Sequence, residues 1–457
     1  MKIYIKNNLH LQDIPFEIKS SLTAKLKIPN PKWLENNRMG RWNRGTPKSL
    51  RFYEKSANSG LIIPRGYMRH LILLCRKHDV PYEIMDQRRE MAETKILFGG
   101  RLKSFQQQAA SVMLKKDFGT LTSPTGSGKT IIALYMIAIR RQPALIVVHT
   151  KDLAFQWIDR IESFLNIPVD EVGLIGSGRK KIGKKITVAL VQSLYKCANE
   201  VAPFIGYLIV DECHRCPSRT FTEAVTCFDS RYMLGLSATP WRRDKLSQLI
   251  FWHLGDVHHE VDPSVLVENG HILHAEIFTR NTDFKPYYDP VNEYSKMLSE
   301  LTADDRRNHL IASDVAHEIQ TSPGVCLVLS DRKKHCENLR TILQYKFNIN
   351  ADLLTGDLTG IQRKSVKERL DQGMVKILIA TGQLIGEGFD CRDLSTLFLA
   401  TPIRFSGRVI QYLGRVLRPT TGKKQARVFD YVDVKVPPLL KASEARQKVY
   451  HGLPYLH

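Results

Sequence analysis

Eight consecutive residues, Ser123-Pro124-Thr125-Gly126-Ser127-Gly128-Lys129-Thr130, combine the glycines, the lysine and the hydroxyl that phosphate recognition requires. Gly126 and Gly128 let the backbone turn tightly, so successive N–H groups around Thr125 and Ser127 converge on an anion. Lys129 brings a compact cation to the β- and γ-phosphates of a nucleotide, and the Thr130 hydroxyl suits Mg²⁺. ATP and Mg²⁺ are therefore the expected cofactors. The first position is Ser123, where the general pattern has glycine. A second chemical pair, Asp211-Glu212, closes the apolar run Tyr207 to Val210. An acid there can hold Mg²⁺ through water, and its neighbour can polarise an attacking water. Taken singly, each cluster also fits a plain turn or strand end.

These groups need elements that hold them. Gly119 to Thr122 reads as a short strand before the octet, and Ile131 to Ala138 as a helix after it, whose positive dipole end faces the anion. From about residue 96, apolar strands alternate with helices, the pattern of a parallel α/β sheet. Leu145 to Val148 is fully apolar, as buried parallel strands are, and Ile186 to Val191 and Tyr207 to Val210 are two more such strand candidates. Each ends in a polar cluster: His149-Thr150-Lys151, Gln192-Ser193 and Asp211-Glu212. Ligands in such sheets bind beyond the carboxyl ends of strands, so the clusters should line one edge. A second α/β unit has strand candidates at Val325 to Leu329, Lys376 to Ala380, Leu397 to Ala400 and Val428 to Val432. Its helices should span Arg306 to Ile319 and Lys333 to Leu343.

The chain of 457 residues exceeds one ordinary core, and its +21 net charge points to a polyanionic partner. From Lys19 to Lys77 there are 14 Lys and Arg against two acids, Glu35 and Glu54. More than half of the excess charge sits there. Trp33, Trp42, Phe52, Tyr53 and Tyr67 are interleaved with Arg38, Arg41, Arg44, Lys48 and Arg51. Cations track phosphates and flat rings stack on bases, so this region reads as a nucleic-acid-binding domain of short strands and turns. Arg38, Arg41 and Arg44 are its candidate contacts. A further basic block, Arg179-Lys180-Lys181 with Lys184-Lys185, reads as a loop. No run is apolar enough to span a bilayer, no signal-like start is visible, and eight scattered cysteines suit reduced thiols. A cytoplasmic protein with no membrane partner is the expectation.

Lys129-Thr130, Asp211-Glu212-Cys213-His214, Ser237-Ala238-Thr239 and Gln411 to Arg418 resemble, in order, motifs I, II, III and VI of superfamily 2 helicases. The resemblance covers roughly residues 96 to 435. It implies two tandem RecA-like parallel-sheet domains behind a small basic N-terminal α+β domain. The boundaries would be 1–95, 96–265 and 266–436, with a tail at 437–457. It implies that Gln106 reads adenine, and that Thr150, Lys151, Gln192, Ser193, Ser330, Arg332 and Thr381 contact a nucleic-acid strand. Gly388 and Asp390 would couple nucleotide to strand, and Gln411, Arg415 and Arg418 would complete the catalytic set, the two arginines as fingers to the γ-phosphate. Within the superfamily the wording is similar to the XPB-like and UvsW-like group, apart from Arg242-Arg243-Asp244 where that group has Arg-Glu-Asp. The implied activity is ATP-driven unwinding or branch migration of forked and junction DNA by a monomer. RNA as the polymer, a restriction-system motor subunit and a non-catalytic scaffold are the rival readings.

Overall fold

The computed structural model describes the whole chain except residues 57–58, 216–218, 239–246, 323, 387–390, 392, 404–405, 421–422, 424, 454 and 457. The chain divides into two compact units. The first comprises Met1–Ser123 and Gly128–Val261, the second Pro124–Ser127 and Asp262–His457.

In the first unit, eight described strands form one sheet. In spatial order they are Arg179–Lys181, Gly173–Gly176, Ile186–Leu190, Ala144–Val148, Tyr207–Val210, Tyr232–Ser237, Phe118–Thr122 and Val257–Glu260. All neighbours run parallel except Arg179–Lys181, which pairs antiparallel with Gly173–Gly176. The central strands bury every residue of their apolar runs, because helices such as Lys129–Arg140 and Lys151–Leu165 cover the sheet. Of the basic block expected to be a loop, Arg179–Lys181 is thus an edge strand, while Lys184 and Lys185 lie in the connection that follows it. The strand's exposed lysines suit an edge, where charge discourages further pairing.

The same unit carries the N-terminal sheet, ordered Glu54–Lys55, Leu61–Pro64, Asn8–Gln12, Lys2–Ile5 and Glu83–Asp86. Helices Phe16–Lys25 and Met68–Lys77 accompany it. Short strands and turns were expected over Lys25 to Gly45, but Pro31–Arg38 is a helix, because Pro31 takes its first turn and the Asn30 side chain accepts from Lys32 N. The N-terminal core does not close on itself. Leu249 and Trp252, from helix Ser247–Leu254, complete it, with Phe52 and Tyr67 edge-on to the Trp252 ring. Arg65, 1% exposed, donates to the carbonyls of Lys6 (3.2 Å) and Ser230 (2.8 Å) and lies over the Phe118 ring. Beside it, a Cβ on Gly66 would stand 2.5 Å from Gly255 N.

The second unit is a wholly parallel sheet of six described strands: Ala275–Thr282, Ala426–Asp433, Leu394–Leu399, Val325–Ser330, Ile377–Thr381 and Asp352–Leu354. Helices Asp305–Thr321 and Lys333–Phe347 pack on it. Two buried ion pairs pin its strands. Arg307 meets Asp433 at 2.8 Å and donates to Ala400 O, and Arg446 meets Asp430 at 2.8 Å. Arg446 belongs to helix Pro437–His451, so the stretch read as a tail is a packed element, with Leu439, Ala442, Arg446 and Tyr450 turned inward. Among the described residues no helix is long and apolar enough to cross a membrane.

Candidate active site and nucleic-acid surface

The phosphate loop begins where strand Phe118–Thr122 ends, and Ser123 N donates to Ser237 O on the neighbouring strand at 3.0 Å. Gly126 and Gly128 both have left-handed backbones, φ 88° and 85°, which a side chain would strain. Gly128 then starts helix Lys129–Arg140. A Cβ on Gly128 would also stand 2.5 Å from Gln106 Nε2. The Gln106 Oε1 accepts from Lys103 N at 3.0 Å, so this amide is fixed beside the loop. Lys129 is buried and donates to Ser123 O at 2.9 Å, while Thr130 is half-buried at the first helical turn. Within the second unit, a Cβ on Gly126 would meet the Gly414 carbonyl at 3.2 Å and the Arg418 side chain at 3.5 Å.

Asp211 follows strand Tyr207–Val210 and is 7% exposed. Its Oδ2 accepts from the Trp157 indole at 2.8 Å and its Oδ1 from Glu212 N at 2.9 Å. Burial, and then the Glu212 charge, raise its carboxyl above the usual range; the Trp157 hydrogen bond and the Lys129 ammonium oppose that rise. Glu212 holds a left-handed backbone at φ 48°, uncommon for a residue with a side chain. His214 Nδ1 lies 3.2 Å from Glu212 Oε2 and 3.1 Å from Ser237 Oγ. The two acids are thereby tied to the strand that the phosphate loop also contacts. A tight loop with two left-handed glycines, an ammonium, a hydroxyl and a buried carboxylate under the influence of that ammonium form a set that fits a triphosphate with a hard divalent cation.

In the first unit the remaining strand-end positions follow the carboxyl ends of parallel strands. Thr150 caps helix Lys151–Leu165 by accepting from Leu153 N at 3.4 Å, and Lys151 is exposed. Gln192 is exposed and Ser193 half-buried, both on the short helix Val191–Leu194. In the second unit Ser330 and Thr381 end adjacent strands in register. Ser330 is 1% exposed, and its hydroxyl bonds Arg332 N (3.1 Å) and His335 Nδ1 (2.9 Å). Its hydroxyl thereby shapes the turn that carries Arg332. Arg332 itself reaches Ser295 Oγ at 3.2 Å. Arg415 closes helix Ser406–Val416 and Arg418 follows it, both half-buried. Gly388, Asp390, Thr239, the Arg242 to Asp244 stretch and the Gln411 side chain lie outside the described residues.

Among the N-terminal candidates, Arg38, Arg41 and Arg44 are exposed. The five aromatics separate. Tyr67 is buried, Phe52 and Tyr53 pack on the N-terminal core, and Trp33 lies half-buried beneath Lys48 Nζ. Trp42 is 84% exposed.

Two family models match this chain: "Type III restriction enzyme, res subunit" over residues 99–242 and "Helicase conserved C-terminal domain" over 293–420. The chain belongs to the superfamily 2 helicases. It is an ATP-hydrolysing nucleic-acid helicase, and its similarity runs to XPB-like proteins. A "Putative ATP-dependent RNA helicase L396" of Acanthamoeba polyphaga mimivirus is 29% identical over 374 residues, 78% of this chain and 69% of that one. The "DNA 3'-5' translocase XPB2" of Sulfurisphaera tokodaii is 27% identical over 350 residues, 69% and 78% of the two chains. S. cerevisiae Dbp5, solved bound to RNA and ADP BeF3, shares the fold with a TM-score of 0.54, 16% identity, and 76% and 88% coverage.

Three contributions of this helicase's site were not read from its motifs. Trp157 is spaced with Ala154, Ile158, Ile161 and Leu165, so its sequence signal is that of a core residue. The Ser237 to His214 link needed the two strand ends to be adjacent. Lys423, which donates to the carbonyls of Leu394, Val416 and Arg418, has no local pattern that marks it.

Proposed function

We propose that this helicase is a Mg²⁺-dependent translocase that unwinds or branch-migrates forked and junction DNA, acting as a monomer in the cytoplasm. Lys129, Thr130 and the loop amides hold the triphosphate, and Thr130 and Asp211 hold the metal. The metal neutralises charge on the phosphates. Glu212 orients the attacking water, and Arg415 and Arg418 add positive charge at the γ-phosphate. The N-terminal domain grips duplex beside the branch point through Arg38, Arg41 and Arg44. The observation that carries this reading is the exposed arginine cluster on a domain whose core is completed by motor residues Leu249 and Trp252. A grip fixed in this way follows the motor. The relative named as a DNA translocase supports DNA as the polymer. The test is fork binding by the Arg38→Ala/Arg41→Ala/Arg44→Ala variant across salt concentrations. Three lost phosphate contacts should lower the slope of log K against log salt by about 2–3; an unchanged slope contradicts the grip.

RNA is the second reading, favoured by the mimivirus relative's name. ATP hydrolysis stimulated by RNA and not by DNA would establish it.

A further inference from the structure

Trp42 is a large apolar ring left 84% exposed on a well-built loop. Asn36 Nδ2 donates to Asn43 Oδ1 at 3.1 Å, and Asn43 Nδ2 to Trp33 O at 3.3 Å. Arg41 N reaches Asn36 O at 2.8 Å, and Asn30 Nδ2 reaches Pro47 O at 2.8 Å. The loop on either side of the ring is therefore tied down, and the ring itself contributes nothing to a core. Among the described tryptophans it alone is exposed. With Asn43 and Arg44 it lines an open depression. Arg38 and Arg41 are exposed nearby in the chain, and among the described residues none of the three arginines pairs with a carboxylate.

A flat ring amid unneutralised guanidinium groups suits a ligand that carries a flat face and a phosphate together. Fully paired duplex offers phosphates but hides its base faces in the stack. An unpaired nucleotide offers both. We propose that Trp42 is a stacking platform for an unpaired nucleobase at the branch point, its flanking phosphates held by Arg38, Arg41 and Arg44. This rests on the reading of the chain as a branched-DNA motor, and adds that the N-terminal domain recognises where the duplex ends. A protein surface is the alternative occupant, and the arginines argue against it.

The experiment uses the full chain with Trp42→Ala and Trp42→Phe. Fluorescence anisotropy would measure binding to a fork with unpaired thymidine arms and to a blunt duplex of equal length, each at several salt concentrations. Trp42→Ala should weaken fork binding about tenfold and blunt-duplex binding less than twofold, since stacking on one base is lost while the phosphate contacts stay. Its salt slope should match the parent chain's, because no cation is removed. Trp42→Phe should recover most of the loss. Oligothymidylate should quench the tryptophan emission of the parent chain more than that of Trp42→Phe. Equal weakening on both substrates, or no weakening on the fork, overturns the platform. So does loss of self-association in sedimentation with DNA binding intact. If the parent chain fails to bind the fork at all, the branched-DNA reading fails first, which is a different result from a fork-competent chain indifferent to Trp42.

Discussion

The indole Nε1 of Trp157 donates a 2.8 Å hydrogen bond to Oδ2 of Asp211, and both side chains are buried. A carboxylate that burial and Glu212 push towards the protonated form is held closer to its charged state by one neutral donor. In Trp157→Phe that donor is lost, at a cost of about 1–3 kcal/mol to the buried charge. The Asp211 carboxyl then rises further. Expected is an acid limb of the ATPase pH profile moved upward by about one pH unit or more, with kcat/KM reduced at pH 6 and little changed at pH 8. The check is steady-state ATPase from pH 5.5 to 8.5. A uniform loss at every pH would mean that the indole only packs.

Acid should destabilise the fold through two buried histidines. Burial lowers His253 to about 4, and burial together with Arg307 lowers His335 to about 3. Unfolded, each titrates near 6.5, so below that value the unfolded chain binds more protons and stability falls as pH drops towards 4. At pH 5 each costs on the order of 2 kcal/mol relative to pH 7. Thermal unfolding between pH 7 and 5 should therefore show a falling melting temperature, less steep in His253→Phe. Parallel curves for the two chains would rule out the His253 share.

The N-terminal domain should not be separable. Removing residues 1–95 uncovers Leu249 and Trp252 and takes Arg65 from the carbonyl of Ser230. The truncated chain should aggregate in size-exclusion chromatography. Gly66→Ala, whose Cβ would press on the backbone of helix Ser247–Leu254, should lower stability by a few kcal/mol, on the order expected of an overpacked core. A well-behaved, monodisperse truncation would refute the shared core.

Lys423 closes the end of the helix that carries Arg415 by donating to the carbonyls of Val416 and Arg418. Lys423→Met keeps the stem and removes the donors. Losing about 1–3 kcal/mol there should loosen the arginine turn. Expected is a kcat for ATP reduced on the order of tenfold, equivalent to about 1.4 kcal/mol, with fork affinity unchanged. An unaltered kcat with only a lower melting temperature would confine Lys423 to stability.

The motor strands were legible because parallel strands buried on both faces are apolar at every position, as Tyr207 to Val210 and Val325 to Leu329 are. Local chemistry was legible wherever it is contiguous: Gly126, Gly128, Lys129 and Thr130 sit in one turn. What depends on adjacency across the sheet was not. Ser237 meets His214 only because neighbouring strands end side by side, and Trp157 meets Asp211 only because its helix covers that strand. The burial of Arg65 was not legible, since burial of a guanidinium depends on carbonyls far along the chain. The edge strand Arg179–Lys181 was hidden because a short charged edge lacks any apolar alternation.

The central claim is a motor whose ATP hydrolysis is driven by branched DNA, and its most direct test is the ATPase rate of the full chain with no polymer, blunt duplex, forked DNA and RNA. The account predicts that forked DNA stimulates turnover at least tenfold and more than the other polymers do, and that Lys129→Ala abolishes the stimulated rate. Turnover that is indifferent to forked DNA, or that survives in Lys129→Ala, would contradict it.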